Sequence, residues 1–117
     1  MASDDSRGRD AVNAVEVVEA APGRLAVRGA LTFATARRAR ELGVVHVGRG
    51  GAWRIDCSGV TAADSAGLAV LLDWLAAAAR SGGALGYDGI PAELLGIARI
   101  SEVEELLQRG VGAAEAR

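Results

Sequence analysis

From Val15 onward, apolar and polar residues first alternate in twos and later recur at helical spacing. Val15 and Val17 flank Glu16, and Leu25 and Val27 alternate with Ala26 and Arg28, with the turn pair Pro22-Gly23 between the two runs. Alternation of this kind puts one side of an extended chain in a core and the other toward water. It predicts an antiparallel hairpin over about 13–20 and 24–30. In "TFATARRARELGV", Thr32 or Thr35 can cap a helix over about 35–43 that ends near Gly43. "VVHVGRGGAW" then reads as a loop or helix exit, and Trp53, Ile55 and Cys57 against Arg54 and Asp56 predict a strand over 53–57.

The strongest periodicity follows. Leu68, Leu71, Leu72, Leu75 and Ala79 share one helical face, and Ser81-Gly82-Gly83 stops the helix. "ALGYDGI" predicts a short strand carrying Leu85 and Tyr87, and Pro91 suits the first turn of a helix with Leu94, Leu95 and Ala98 inward. Ser101 to Glu104 has capping-box spacing ahead of Val103, Leu106 and Leu107. The order β-β-α-β-α-β-α-α describes an α/β fold. An antiparallel start gives way to βα units, and helices pack on a mixed sheet of about four to five strands. Residues 1–10 are expected to form a disordered leader, 11–110 one domain, and 111–117 a flexible tail.

Composition removes several function classes. The longest apolar stretch, Leu68 to Ala79, is broken by Asp73 and too short to cross a bilayer, and the polar start "MASDDSRGRD" is no secretory signal. A cytoplasmic protein is expected. One cysteine, Cys57, and one histidine, His46, make neither an internal disulfide nor a structural zinc site, so no metal and no cofactor is expected. All thirteen basic residues are arginine, scattered among fifteen acidic ones, and with four aromatics there is no basic stripe or stacking platform for nucleic acid.

The candidate chemistry lies at residues 58–67, between the strand and the long helix. Asp64 or Ser65 can accept hydrogen bonds from the first amides of that helix, and Gly67 allows helix and strand to pack closely. A second reading starts from position: the carboxyl end of a central strand is where open α/β sheets place their sites, and exposed amides there suit an anion or a partner's acceptor groups. Ser65 is also a candidate phosphoacceptor. With the leucines inward, Ala66, Val70, Trp74 and Ala77 project from the other side. That stripe is either an exposed apolar docking patch or a cover for the core edge.

No nucleophile–base–acid set is evident, so no catalytic residue is assigned. His46 reads as a surface residue and Cys57 as a core residue. Asp56 and Asp64 form no credible carboxylate pair. "GRGG" (48–51) lacks the Lys-Ser/Thr of a phosphate loop, and "RRAR" (37–40) reads as a solvated helix face.

The stretch "IDCSGVTAADSAGLAVLLDWLAAAARSGGALGYDGIPAELLGIARISEVEELL" resembles a STAS domain, the module of anti-sigma-factor antagonists and sulfate-transporter tails. It shows a strand ending in "D-x-S", then "D-S-x-G-L", a long apolar helix, "G-G-x-L", "G-I-P" and a last helix near "I-S-E-V". Antagonists switched by kinases typically carry "D-S-S-G", with the phosphate on the serine directly before the glycine. Here that position is Ala66, and Ser65 matches the residue before it. "D-S-A-G-L-A-x-L-L" and "G-A-L-T-F-A-T" (29–35) are closer to MlaB-like proteins, STAS subunits of the bacterial phospholipid ABC transport system that maintains outer-membrane lipid asymmetry.

The resemblance implies a non-catalytic cytoplasmic subunit that binds and regulates the transporter's ATPase, peripheral at the inner membrane through that partner and without direct membrane insertion. Its contact surface would be the Ser65 turn and the helix start: Asp64, Ser65, Ala66, Gly67, Leu68, Val70 and Trp74. The alternative is an anti-sigma-factor antagonist whose partner kinase phosphorylates Ser65.

Overall fold

The computed structural model describes residues 14–112. β1 (Val15–Ala21) and β2 (Arg24–Leu31) form the antiparallel hairpin, with Val17 opposite Val27 and Ala21 opposite Arg24. Pro22 and Gly23 fill the turn, and Gly23 takes φ +76°, as the second central residue of a type II turn must. Then come α1 (Ala36–Val47), β3 (Ala52–Ala63), α2 (Ser65–Arg80), β4 (Ala84–Asp88), α3 (Ala92–Ile100) and α4 (Glu104–Arg109). The sheet order is β1-β2-β3-β4, with β2–β3 and β3–β4 parallel, so α1 and α2 are the crossovers that parallel pairing demands.

The alternation read from the sequence holds. Leu25, Val27, Ile55, Cys57, Leu85 and Tyr87 belong to the core, and the Tyr87 hydroxyl donates to the Leu71 carbonyl of α2 at 2.6 Å. The opposite sheet face carries Arg24, Arg28, Arg54, Asp56 and Asp88. Arg54 Nε donates to Asp88 Oδ2 at 3.1 Å, and its Nη2 pairs with the other carboxylate oxygen. Val111 pairs with Leu85 in an antiparallel bridge along β4, two hydrogen bonds at 2.9 and 3.1 Å. Val111, the first residue of the expected tail, is thus tied to β4. The leader (1–10), Asn13 and residues 113–117 lie outside the described residues.

Four expectations fail for physical reasons. α1 does not end at Gly43 but continues through Val44, Val45 and His46 to Val47, so His46 is helical. Gly43 is a packing seat: a Cβ there would lie 2.4 Å from the Trp74 ring. β3 runs well beyond residue 57, because Gly59 to Ala63 keep pairing with Arg28 to Leu31 after the β4 pairing has ended at Asp56 and Asp88. The capping box is absent: Glu102 takes φ +63°, Val103 is the residue before α4, and no side chain caps that helix.

The fourth failure concerns the two sides of α2. Leu68, Leu71 and Leu75 are buried as expected and Leu72 partly so, whereas Ala79 is exposed. On the other side, Val70, Trp74 and Ala77 are buried too, and Trp74 is 0% exposed. The Val70–Trp74–Ala77 stripe is packed inside the fold and is not an exposed apolar patch. α1 covers it, and the Trp74 indole N–H donates to the Arg40 carbonyl at 3.2 Å.

The Gly43 seat gives a paired prediction. Alanine in place of a helix-interior glycine normally stabilises by about 1 kcal/mol. Gly96→Ala, with open space around the added methyl, should raise the urea midpoint accordingly. Gly43→Ala should lower it, since overpacking costs about 1–3 kcal/mol.

Candidate functional site

The site follows from the register of β2 and β3. Leu31 and Ala63 are parallel partners and both are the last residues of their strands. The chain leaving each strand therefore emerges at the same place, Thr32-Phe33 from one and Asp64-Ser65 from the other. Asp64 binds the two exits together. Its Oδ1 accepts from the amides of Ala66 (2.9 Å) and Gly67 (3.2 Å), and its Oδ2 accepts from the amide of Phe33 (3.0 Å). The carboxylate thus caps α2 and holds the loop before α1. Thr35 secures that loop from the other side, its hydroxyl donating to the Ala30 carbonyl at 2.7 Å and accepting from the Thr32 amide at 3.0 Å. Gly67 is required by the close approach, since a Cβ there would lie 2.1 Å from the Leu31 carbonyl oxygen.

The amide donors, Phe33 foremost, hold the Asp64 carboxyl below its ordinary value of 3.8. A depressed native value means that folding gains stability above the ordinary carboxylate range and loses it as pH falls through the native value.

The predicted site residues separate into two groups. Ser65 is exposed, and Asp64 and Ala66 are half-buried. Gly67, Leu68, Val70 and Trp74 are buried, so of the two readings of the Trp74 stripe the cover over the core holds and the exposed docking patch is corrected. What lies beside Ser65 instead is a groove of about 440 Å³ between α1 and α2. Phe33, Ala36, Arg37 and Arg40 line one side, and Ala66, Ala69, Val70 and Asp73 the other. Phe33, the chain's one phenylalanine, is 85% exposed. Sequence reading missed it, although a lone aromatic just past a strand end in "GALTFAT" was the available signal.

The remaining candidates are structural. Cys57 is buried, and burial pushes its thiol up to about 12, far from a reactive thiolate. Asp56 accepts from the Ser58 amide at 2.9 Å, remote in role from Asp64. His46 Nδ1 lies 3.9 Å from Glu19 Oε1, and its ring packs edge-on against Trp53. Arg37, Arg38 and Arg40 are exposed while Ala39 is buried, as a solvated helix face requires. Among the described residues no group of His, Cys, Asp and Glu is disposed to hold a metal, and no helix is long and apolar enough to cross a membrane.

Asp64→Ala should cost about 1–2 kcal/mol of unfolding free energy at neutral pH, the loss of a helix cap together with an anchored loop. The gap between variant and wild type should narrow in urea melts run below the ordinary carboxylate value of 3.8.

Comparison with known proteins agrees with this architecture. The family model described as "Mlab, STAS domain" matches residues 16–108. No curated protein matches the sequence. Among solved structures, a Thermotoga maritima protein described as an anti-sigma factor antagonist is similar at TM-score 0.61 and 14% identity, over 81% of this chain and 82% of that one. The anti-sigma factor antagonist SpoIIAA in its unphosphorylated form is similar at TM-score 0.55 and 10% identity, over 77% of this chain and 83% of that one. At such identities the likeness is one of fold. With the family model covering most of its length, this chain belongs to the MlaB-type STAS domain family.

Proposed function

We propose that this chain is a non-catalytic binding subunit, a single STAS domain over 11–110. It docks on the cytoplasmic ATPase of an ABC phospholipid transporter and regulates it, without a cofactor of its own. It acts in the cytoplasm and reaches the inner membrane only through that partner. The MlaB-type family match supports the transporter class. The observation that carries the docking surface is the Asp64 clamp, which presents the exposed Ser65 and the exposed Phe33 side by side on a rigid frame. Preformed geometry spares the ordering cost of association. The apolar contact comes from Phe33, Ala66 and Ala69, at about 25 cal/mol per Å² removed from water, and not from Trp74.

Ser65→Glu should reduce co-purification with the ATPase at least about tenfold by placing a charge in a desolvated contact, whereas Ser65→Ala should bind as wild type does. Undiminished binding of Ser65→Glu would place docking elsewhere.

A second reading rests on the exposed hydroxyl of Ser65 beside a fold shared with anti-sigma factor antagonists. In it, a partner kinase phosphorylates Ser65 and a charge of close to −2 breaks the contact. Ala66, at the position where kinase-switched relatives carry their phosphate, has no hydroxyl and weighs against it. A mobility shift on a phosphate-affinity gel after incubation with the cognate kinase and ATP would establish this reading, and an unshifted band would remove it.

A further inference from the structure

We propose that the groove between α1 and α2 receives an amphipathic helix of the partner, whose leucine-type side chain enters between Phe33 and Ala69 while a neighbouring glutamate or aspartate pairs with Arg37. The inference rests on the docking reading and specifies the chemistry of what docks. The groove is lined by small side chains, Ala36, Ala66 and Ala69, together with the largely buried Val70. Small residues between two helices leave room for a third helix to approach closely, the geometry of helix-in-groove recognition.

The rim carries the specificity. Arg37 and Arg40 stand one turn apart on α1 and both line the groove. Arg40 lies 4.0 Å from Asp73 across the groove, so its charge is partly compensated. Arg37 has no ion-pair partner among the described residues. The groove therefore offers one uncompensated cation next to an exposed aromatic ring and an apolar lining. Its complement is an apolar anchor beside a carboxylate. An anionic membrane surface would also attract the arginines and Phe33, but a groove of about 440 Å³ with the acidic Asp73 on one side suits a single carboxylate placed at Arg37 better than a uniformly anionic plane.

The test uses two hydrocarbon-stapled helical peptides that share one leucine face and differ only in carrying glutamates or lysines, titrated into the isotope-labelled full chain. The glutamate peptide should shift the amides of Phe33, Arg37, Ala69 and Asp73 and bind at least about tenfold more tightly than the lysine peptide. Arg37→Glu should invert the preference, and Ala69→Trp, at an exposed position that tolerates the larger ring, should abolish binding of both while the circular dichroism spectrum stays native. Equal affinity of the two peptides, shifts elsewhere, no shift with either, or binding to phosphatidylglycerol vesicles in place of the peptides would each overturn the proposal. If the ATPase loses Ser65→Glu but the glutamate peptide leaves the groove unperturbed, the groove assignment falls and the ATPase reading stands. If the peptide binds as described and the ATPase does not, the reverse holds.

Discussion

α1 and α2 approach closely at one contact, the indole of Trp74 lying on the bare backbone of Gly43 and donating to the Arg40 carbonyl. A large aromatic ring would ordinarily hold two helices apart. With no side chain opposite it, the ring sinks between them, and its single polar atom finds an acceptor in the backbone it touches. α2 is consequently enclosed on two sides: its leucines meet the sheet, and Val70, Trp74 and Ala77 meet α1. The groove lies further along the same helix pair, where the alanines beyond that contact leave their share of the space unfilled.

That enclosure explains which parts of the structure were readable beforehand. The hairpin, the crossover helices and the strand with Leu85 and Tyr87 all follow from alternation and helical spacing, because each buries a single face. Most failures came where a residue answered to a neighbour distant in sequence, and one, the capping box, from the local backbone. Gly43 carries the signature of a helix stop, but its role is set by a tryptophan on another helix. Trp74 sits on the side of α2 opposite the leucines, and a one-sided helix would expose it. Ser58, Gly59 and Thr61 read as a turn, yet β2 continues alongside them and keeps them extended. Ser101 and Glu104 have the spacing of a capping box, but the left-handed backbone at Glu102 breaks it.

At the site, the two readings of the turn are one arrangement. Asp64 does cap α2, as the modest reading held, and with its second oxygen it grips the amide of Phe33 across the sheet's top edge. A structural cap and a presented surface follow from the same carboxylate. Its position is dictated by the Leu31–Ala63 register, so the strand pairing, the cap and the exposure of Ser65 and Phe33 are linked: a slip of one residue between β2 and β3 would separate the exits that the carboxylate joins.

The Leu85–Val111 bridge has a consequence for how this sheet meets other chains. One outer strand, β4, is occupied along part of its length by the protein's own backbone, so its hydrogen-bonding groups there are already spoken for. The remaining border is β1, where the exposed acids Glu16 and Glu19 stand. Charged side chains on a sheet border discourage a foreign strand from joining. Enlargement of the sheet by strand exchange, a common route to unwanted self-association, is thereby opposed at both ends, and contact with other molecules is left to the helices.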